Sequence, residues 1–182
     1  MKRDIQIKIV WEFDVNKEMR DELQLLLCEC FGEDYPKERI YFKQRPHFRV
    51  LAYKGNHLIG HIACDYRTMN LNGHPINALS LIDVCVSAEI RSEGIASQLL
   101  SETDKFCQNK DIDFIVLFAD NPVVYERNGF KSVQSKCTWL KINDVNLTTK
   151  GIGCETINEL MVKSVGEKKW EDGELDLLGY LG

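Results

Sequence analysis

"IRSEGIASQLL", residues Ile90–Leu100, joins a predicted strand to a predicted helix without interruption, and this junction decides the fold. The preceding run "LSLIDVCVS", residues 79–87, is apolar enough to form a buried strand. The first N–H groups of a helix lack partners within the helix, and a glycine such as Gly94 lets an anion approach that backbone closely. The sequence therefore predicts an anion-binding loop between the strand and the helix.

Two common nucleotide-binding loops do not fit the junction. It lacks the Gly-Lys-Ser/Thr ending of a P-loop, and no earlier glycine combines with Gly94 into a Gly-x-Gly-x-x-Gly pattern. A nucleoside triphosphate or dinucleotide site is therefore disfavoured. One alternative stays open at this point: Gly94 and Ala96 could serve only to let the helix pack closely on the sheet.

The size and charge of the chain limit its architecture and its partners. A chain of 182 residues, 44% of them hydrophobic, can bury one core, and we expect a single domain over residues 1–182. The formal net charge is -5 and no block of Lys or Arg stands out, so nucleic-acid binding is not expected. The acidic balance favours cationic substrates.

Cysteine usage indicates the compartment. The seven cysteines are an odd number without a Cys-x-x-Cys pair, and they are scattered through predicted strands and helices. This pattern predicts reduced thiols and hence a cytoplasmic protein. The N-terminal stretch carries no apolar signal-peptide core, and no run approaches the ~18 apolar residues that span a bilayer. We therefore expect neither secretion nor membrane insertion.

The chain before the junction predicts a strand, a helix, a polar loop and three further strands. Ile5–Trp11 alternates apolar and polar residues, as a half-buried strand does. Asn16 is a suitable N-cap for a helix that Gly32 ends, and the polar residues that follow predict a loop with a short helical turn. Three runs rich in β-branched and aromatic residues, between residues 48 and 87, predict an antiparallel meander.

The chain after the junction alternates helices and strands. The junction helix extends to near Asn109, and the apolar strand 111–119 follows it; a crossover helix makes this strand parallel to the one before the junction. A short helix lies between Pro122 and Gly129. The remaining predictions are a strand over 131–142, an irregular loop over 143–156, and a closing hairpin of residues 159–165 and 174–182.

The segments "VCVSAEIRSEGIASQLL", residues 84–100, and "VVYERNGF", residues 123–130, lie on either side of the predicted buried strand. The first resembles the strand, Arg/Gln-x-x-Gly-x-Gly/Ala loop and helix of the GNAT superfamily of acyl-CoA-dependent N-acetyltransferases, and the second resembles that family's Tyr-x-x-x-Gly-Phe segment. The resemblance covers roughly residues 5–141. It implies an α/β fold with a twisted, largely antiparallel mixed sheet, a splayed central strand pair and helices on both faces.

The same resemblance implies acetyl-CoA as the co-substrate. Its pantetheine arm is expected to pair with the backbone of Val84, Cys85 and Val86. Its pyrophosphate is expected on the backbone N–H groups of the anion-binding loop, residues 91–97. The loop residues are Arg91, Ser92, Glu93, Gly94, Ile95, Ala96 and Ser97.

Two of the residues assigned to the co-substrate depart from the family pattern. Many members have a basic residue near Glu93, whose charge would oppose the phosphates unless it faces solvent. Asn121 corresponds to an asparagine that often contacts the cofactor, but it stands closer to the tyrosine than is usual. The alternative for Asn121 is an N-cap role directly before Pro122.

Tyr125 matches the family tyrosine that stabilises the leaving thiolate. The reference pKa of a tyrosine, ~10, lies above the ~8.5 of a thiol, so full proton transfer would be uphill by only about 2 kcal/mol. A strong hydrogen bond would therefore suffice. Packing of the ring against the sheet is the alternative.

Asp83 interrupts an apolar strand, and a buried carboxylate is costly unless it has a partner or a function. We take Asp83 as the first candidate for the general base or for binding the amine, with a structural, hydrogen-bonded carboxylate as the alternative. His61 and Asp65 lie on one face of a predicted strand and are further candidates for the acceptor site. For three more candidates an ordinary structural or surface role is favoured: Asp34, Tyr35 and Trp170.

The cysteines predict no metal site. Cys28 and Cys30 are separated by one residue on a helix, so their side chains point to different sides. Cys85 has no Cys/His arrangement beside it and is interpreted as a buried small hydrophobic residue.

Taken with the resemblance, these residues predict an N-acetyltransferase. It would move an acetyl group from acetyl-CoA to a primary amine of a small cationic molecule, such as an aminoglycoside or a polyamine. The expected partner is that small molecule, with no nucleic acid, membrane or metal involved, and a homodimer is left open. The alternative from another class is a non-catalytic acyl-CoA-binding or interaction module on the same fold.

Overall fold

The computed structural model describes residues 5–182, which divide into two compact units. The first unit contains the described residues up to Asp65 together with Ile82–Lys105, and the second contains Tyr66–Leu81 and Phe106–Gly182. Each unit is described by itself.

The described residues contain three α-helices and ten strands, in the chain order β1, α1, β2 to β4, α2, β5, α3 and β6 to β10. The α-helices are α1 (Lys17–Phe31), α2 (Ile95–Cys107) and α3 (Val123–Arg127), and Glu12–Asp14 and Ala88–Ile90 form short 3-10 helices. The strands are β1 (Ile5–Trp11), β2 (Phe48–Lys54), β3 (His57–Leu71), β4 (His74–Val86), β5 (Phe114–Phe118), β6 (Lys131–Ser132), β7 (Ser135–Ile142), β8 (Thr149–Thr156), β9 (Leu160–Ser164) and β10 (Gly173–Tyr180). By their residue ranges, β3 and β4 each contribute to both units.

The first unit is built on antiparallel strands and on α1. β2 pairs with β1 on one side and with β3 on the other, both antiparallel. The side chain of Asn16 accepts a hydrogen bond from the N–H of Met19 at 2.9 Å, and Gly32 follows the helix with φ of 79°. The predicted strand Ile5–Trp11 and both ends of the predicted helix are therefore confirmed.

The core of the first unit lies under the apolar stripe of α1. A helix buries such a stripe because it removes apolar surface from water. The buried residues of this cluster are Val15, Leu23, Leu26, Leu27, Tyr35, Ile40, Leu51, Tyr53 and Cys85.

Helix α2 packs closely over β3 because Gly60 has no side chain. A Cβ at Gly60 would lie 3.0 Å from Leu99 Cδ1 and 3.2 Å from Ile95 Cγ2. Side chains of α2 therefore occupy the space that a larger residue on β3 would fill.

The second unit is a mixed sheet whose strand pairs are mostly antiparallel. Its strand order is β6-β9-β5-β4-β3-β10-β7-β8. β4 pairs with β5 in parallel, with Ala78 opposite Phe114 and Ser80 opposite Val116, and β7 pairs with β10 in parallel. The expected parallel neighbours on either side of the crossover helix are confirmed, as is the mixed α/β class.

Three predictions from the sequence are wrong. Residues 149–156 form β8, which pairs antiparallel with β7, where we expected an irregular loop. The expected closing hairpin does not form, because β9 pairs with β5 and β6 while β10 pairs with β7 and β3. The expected helical turn after α1 is replaced, within residues 33–47, by turns and bends.

The errors on the strands have two physical reasons. Of the eight residues of β8 only Gly153 is buried, so the strand carries no apolar alternation and is stabilised by its hydrogen bonds to β7. The partners of β9 and β10 are distant in sequence, and no local turn signal reveals them.

We predict that Gly153→Ala destabilises the protein. Gly153 stands opposite Trp139 in the β7–β8 pair, and a Cβ there would overlap the Trp139 indole ring. Displacing a buried ring costs about 1–3 kcal/mol. Thermal unfolding should show a clear loss of Tm, whereas Ile152→Ala, at a neighbouring side chain that is 64% exposed, should change Tm much less. Equal Tm values for the two variants would contradict the prediction.

Candidate functional site

The predicted anion-binding loop, residues 91–97, lies at the start of α2 and is exposed over its first four residues. Ser92 and Gly94 have positive φ of 76° and 78°, and α2 begins at Ile95. Two left-handed residues in such a short segment bend the backbone sharply just before the first helical turn, whose N–H groups have no partner earlier in the helix. The side chain of Ile95 is buried in the core. The loop therefore leaves its backbone exposed at Gly94, as binding of an anion requires.

The surroundings of Gly94 argue against the packing alternative for this residue. A Cβ placed on Gly94 would find no other heavy atom within 4 Å. The presence of glycine at position 94 is explained by the left-handed backbone, which other residues rarely adopt, and by the open space in front of it. Close helix packing is instead provided by Gly60.

The charge of Glu93 is balanced within the first unit. Its carboxylate lies 3.2 Å from the ammonium of Lys54, on the strand β2. The departure from the family pattern at this position therefore places an ion pair beside the loop, and not an isolated negative charge.

The end of β4 is held by side-chain contacts to its backbone. The carbonyl oxygen of Val86 accepts from the thiol of Cys30 and from Nε of Arg91, each at 3.5 Å. Cys85 is buried, and a hydrogen bond with Cys30 together with burial raises the pKa of the Cys85 thiol. A protonated, buried thiol agrees with the interpretation of Cys85 as a small hydrophobic residue. Val84, which lies between Asp83 and Cys85 on β4, is half-buried.

Asp83 occupies an unusual backbone conformation for a strand residue, with φ of 51°. Its carbonyl oxygen accepts from Nδ1 of His61 at 2.8 Å, and its Oδ2 accepts from the hydroxyl of Tyr35 at 2.9 Å. Burial raises the pKa of the Asp83 carboxyl, while the Tyr35 hydrogen bond and the Arg49 charge act in the opposite direction. A left-handed residue other than glycine costs free energy, and the surrounding hydrogen bonds maintain it.

Arg49 is the centre of a buried polar network in the first unit. It has 0% of its surface exposed, and its Nε and Nη2 donate to the carboxylate of Glu12 at 2.7 and 3.2 Å. Nη2 also donates to the carbonyl oxygen of Ile40 at 2.9 Å, and Nη1 lies 2.9 Å from Nε2 of His61. An arginine cannot accept a hydrogen bond, so Nε2 of His61 accepts and Nδ1 carries the proton that goes to the Asp83 carbonyl. Glu12, Arg49, His61 and Asp83 are thus linked in one chain of hydrogen bonds.

Burial, with the Arg49 charge as the second cause, lowers the pKa of His61 to about 3. The imidazole is therefore neutral at ordinary pH. This supports a structural role for His61, the alternative that is usual for a histidine in a strand. The carboxylate of Asp65, the other acceptor-site candidate on β3, lies 2.5 Å from Nδ1 of His47.

The sequence missed two members of this network and misjudged a third. Arg49 interrupts the apolar run "FRVLAY", which is a signal that could have found it, whereas Glu12 has no comparable signal. Tyr35, for which an ordinary surface role was favoured, is only 1% exposed and contacts Asp83. Asp34 is exposed as expected, and Trp170 packs edge-on against Phe114 with ring centroids 5.2 Å apart.

Tyr125 belongs to the second unit and is half-buried on α3. Its ring meets the edge of Phe130, with centroids 5.9 Å apart. Its carbonyl oxygen accepts from the N–H groups of Asn128 and Phe130, which ends the helix ahead of Gly129. The ring therefore packs as the structural alternative expects. The hydroxyl remains a candidate for stabilising the leaving thiolate.

Asn121 caps the turn that leads into α3. Its Oδ1 accepts from the N–H of Val123 at 3.2 Å, which is the local role weighed as the alternative to a cofactor contact.

Within residues 5–182, no three His, Cys, Asp or Glu side chains are grouped to hold a metal ion. Among the same described residues, every helix is too short or too polar to span a bilayer.

The comparisons with known proteins identify the family. The family model described as "Acetyltransferase (GNAT) domain" matches residues 14–133. The chain therefore belongs to the GNAT acetyltransferases, a family of acyltransferases. No curated protein matches its sequence.

Solved structures share the fold. The GNAT family N-acetyltransferase YhbS from Escherichia coli, solved with CoA, is 16% identical with a TM-score of 0.66; the match covers 97% of this chain and 91% of that one. A GNAT family acetyltransferase from Brucella melitensis, solved with acetyl-CoA, is 16% identical with a TM-score of 0.60 and 95% coverage of both chains. An N-acetyltransferase from Anabaena variabilis is 21% identical with a TM-score of 0.62; 73% of this chain matches, but this is only 34% of that protein's length.

We predict that the neutral His61 makes stability depend on pH. Its pKa is about 3 in the folded protein and near the reference value of 6.5 in the unfolded chain, so the unfolded state binds the extra proton more readily. Stability is then lost as the pH falls below 6.5. Urea unfolding between pH 6 and 5 should show the wild type losing about 1 kcal/mol more per pH unit than His61→Asn. Parallel pH dependences would contradict the assignment.

We predict that Gly94→Val weakens binding of CoA by about tenfold or more, because the new side chain fills the space in front of the loop backbone. Gly55→Val is the matched control: Gly55 also has positive φ, 64°, and open space at its Cβ, but it lies in the β2–β3 turn. Both variants carry similar backbone strain and should lose similar Tm. Calorimetric titration with CoA distinguishes them, and equal affinities would overturn the assignment of the loop.

Proposed function

We propose that the protein transfers an acetyl group from acetyl-CoA to a primary amine of a small cationic molecule, of the aminoglycoside or polyamine kind. The observation that carries the proposal is the exposed anion-binding loop, whose Gly94 is left-handed and faces open space. The likeness to the Escherichia coli and Brucella melitensis proteins, solved with CoA and acetyl-CoA, supports the choice of co-substrate. Val84, Cys85 and Val86 are the residues proposed to meet the pantetheine arm, and Asn121 is retained as a cofactor contact.

Asp83 is proposed to bind and orient the amine. A carboxylate attracts an ammonium strongly where water is scarce, and Asp83 is largely shielded by Tyr35 and the core of the first unit. Its raised pKa also brings it closer to that of an amine, which favours proton removal directly or through a water molecule. The net charge of -5 supports a cationic acceptor.

Tyr125 is proposed to stabilise the thiolate that leaves when the amide forms. A phenol donates a strong hydrogen bond to a thiolate, and complete proton transfer is not required, since the two pKa values differ by only about 1.5 units. This role comes from the match of "VVYERNGF" to the family segment.

We also propose that residues 1–182 form one N-acetyltransferase domain in the cytoplasm. The family match over residues 14–133 includes parts of both units, which supports a single domain. All seven cysteines are free thiols, which supports a reducing compartment.

A thiol-release assay over a panel of amines, with calorimetric titration of acetyl-CoA, tests the activity. The panel contains aminoglycosides, polyamines, lysine and a peptide with a free N-terminus. Release of CoA with the small cationic amines is the expected result. Binding of acetyl-CoA without turnover on any amine would favour the non-catalytic module, and absence of binding would overturn both.

We predict that Tyr125→Phe lowers kcat by about ten- to a hundredfold, the equivalent of one charge-assisted hydrogen bond of roughly 1.5–3 kcal/mol. The affinity for acetyl-CoA should change little, because the ring is retained. Tyr66→Phe is the control, since it removes a hydroxyl that donates to the Asp111 carbonyl, elsewhere in the second unit. Unchanged turnover of Tyr125→Phe, with chemistry rate-limiting, would return Tyr125 to a packing role.

A further inference from the structure

Tyr35 is held rigidly in the core of the first unit. It is 1% exposed, and its ring lies between Phe31, with centroids 5.7 Å apart, and Phe42, with centroids 4.7 Å apart. The aromatic contacts fix the direction of the hydroxyl, which donates to Oδ2 of Asp83 at 2.9 Å. A buried hydroxyl that is aimed at a carboxylate serves either to satisfy that carboxylate or to orient it.

The Asp83 residue is fixed at two points by groups from different elements. His61 on β3 holds its carbonyl oxygen at 2.8 Å, and Tyr35, from the segment after α1, holds Oδ2 of its carboxylate. In the part of the chain that the structure describes, no second hydrogen bond to this carboxylate is formed. Oδ1 therefore keeps its acceptor capacity for an ammonium.

We propose that Tyr35 is a positioning residue for acetyl transfer, which fixes Oδ2 of Asp83 so that Oδ1 receives the amine of the acceptor. The inference rests on the proposed function, because it takes Asp83 as the group that binds the amine. Tyr35 itself touches Asp83 and acts through it. The structure thus gives a role to a residue for which the sequence favoured an ordinary surface position.

The charges around Asp83 determine the sign of the expected effect. Arg49 on β2 and Lys43 from the segment before β2 favour the charged carboxylate, and so does the Tyr35 hydroxyl, whereas burial disfavours it. His61 is neutral, and its hydrogen bond to Asp83 goes to the backbone carbonyl oxygen of that residue. Burial and the Asp83 charge raise the pKa of Tyr35, so the phenol stays protonated and remains a donor. Removal of the hydroxyl should therefore raise the pKa of Asp83.

Tyr35→Phe tests the proposal, with Tyr53→Phe as the matched control. Tyr53 lies in the same apolar cluster, and its hydroxyl also faces a carboxylate, that of Glu22 at 3.5 Å. Both substitutions keep the ring and remove one oxygen. The measurements are kcat/KM against pH for an accepted amine, and titration of the Asp83 carboxyl by ¹³C NMR, with its signal assigned through Asp83→Asn.

We expect Tyr35→Phe to move both the NMR titration of Asp83 and the acidic limb of kcat/KM to higher pH by about one unit, which is tenfold in kcat/KM on that limb. Tyr53→Phe should leave both in place. An acidic limb that coincides in Tyr35→Phe and the wild type, or that moves equally in Tyr53→Phe, overturns the role of Tyr35 even where the wild type is active. A wild type that acetylates no amine instead overturns the proposed function, and the role of Tyr35 with it.

Discussion

Arg49 carries a full positive charge with none of its surface exposed, so its guanidinium must be neutralised and hydrogen-bonded inside the protein. Glu12 supplies the opposite charge, and the Ile40 carbonyl and His61 take further N–H groups. These partners come from the turn after β1, the segment before β2 and the strand β3. Removal of any one of them would leave a buried charge or donor unpaired, so the geometry of these three segments is fixed together.

The consequence reaches Asp83 through the tautomer of His61. Because Arg49 occupies Nε2, the proton of the imidazole is on Nδ1, where it holds the Asp83 carbonyl while that residue is left-handed. Tyr35 then fixes one carboxylate oxygen. Functional positions typically combine a strained backbone with a buried carboxylate of raised pKa, and Asp83 has both. The strain at Asp83 is maintained by groups that never need to touch a substrate.

Glycine is required at two positions of the first unit for different physical reasons. Gly60 is required by packing, since side chains of α2 occupy the space above it, whereas Gly94 is required by its backbone conformation and leaves open space in front of the loop. The sequence alone offered both explanations for Gly94. The distinction depends on which atoms surround each Cα, and spacing along the chain does not contain that information.

The sequence by itself determined the local elements and the family. The Asn16 cap, the apolar stripe of α1, the strand–loop–helix junction and the parallel pair β4–β5 all follow from patterns of adjacent residues, because caps, periodicity and crossover handedness are local rules. Only the tertiary structure decided the partners of β8, β9 and β10, and that Tyr35 and Arg49 surround Asp83. The contacts of β9 and β10 and the contact of Tyr35 with Asp83 join residues that are dozens of positions apart. The free energy of all these contacts depends on burial and on partners that no local pattern specifies.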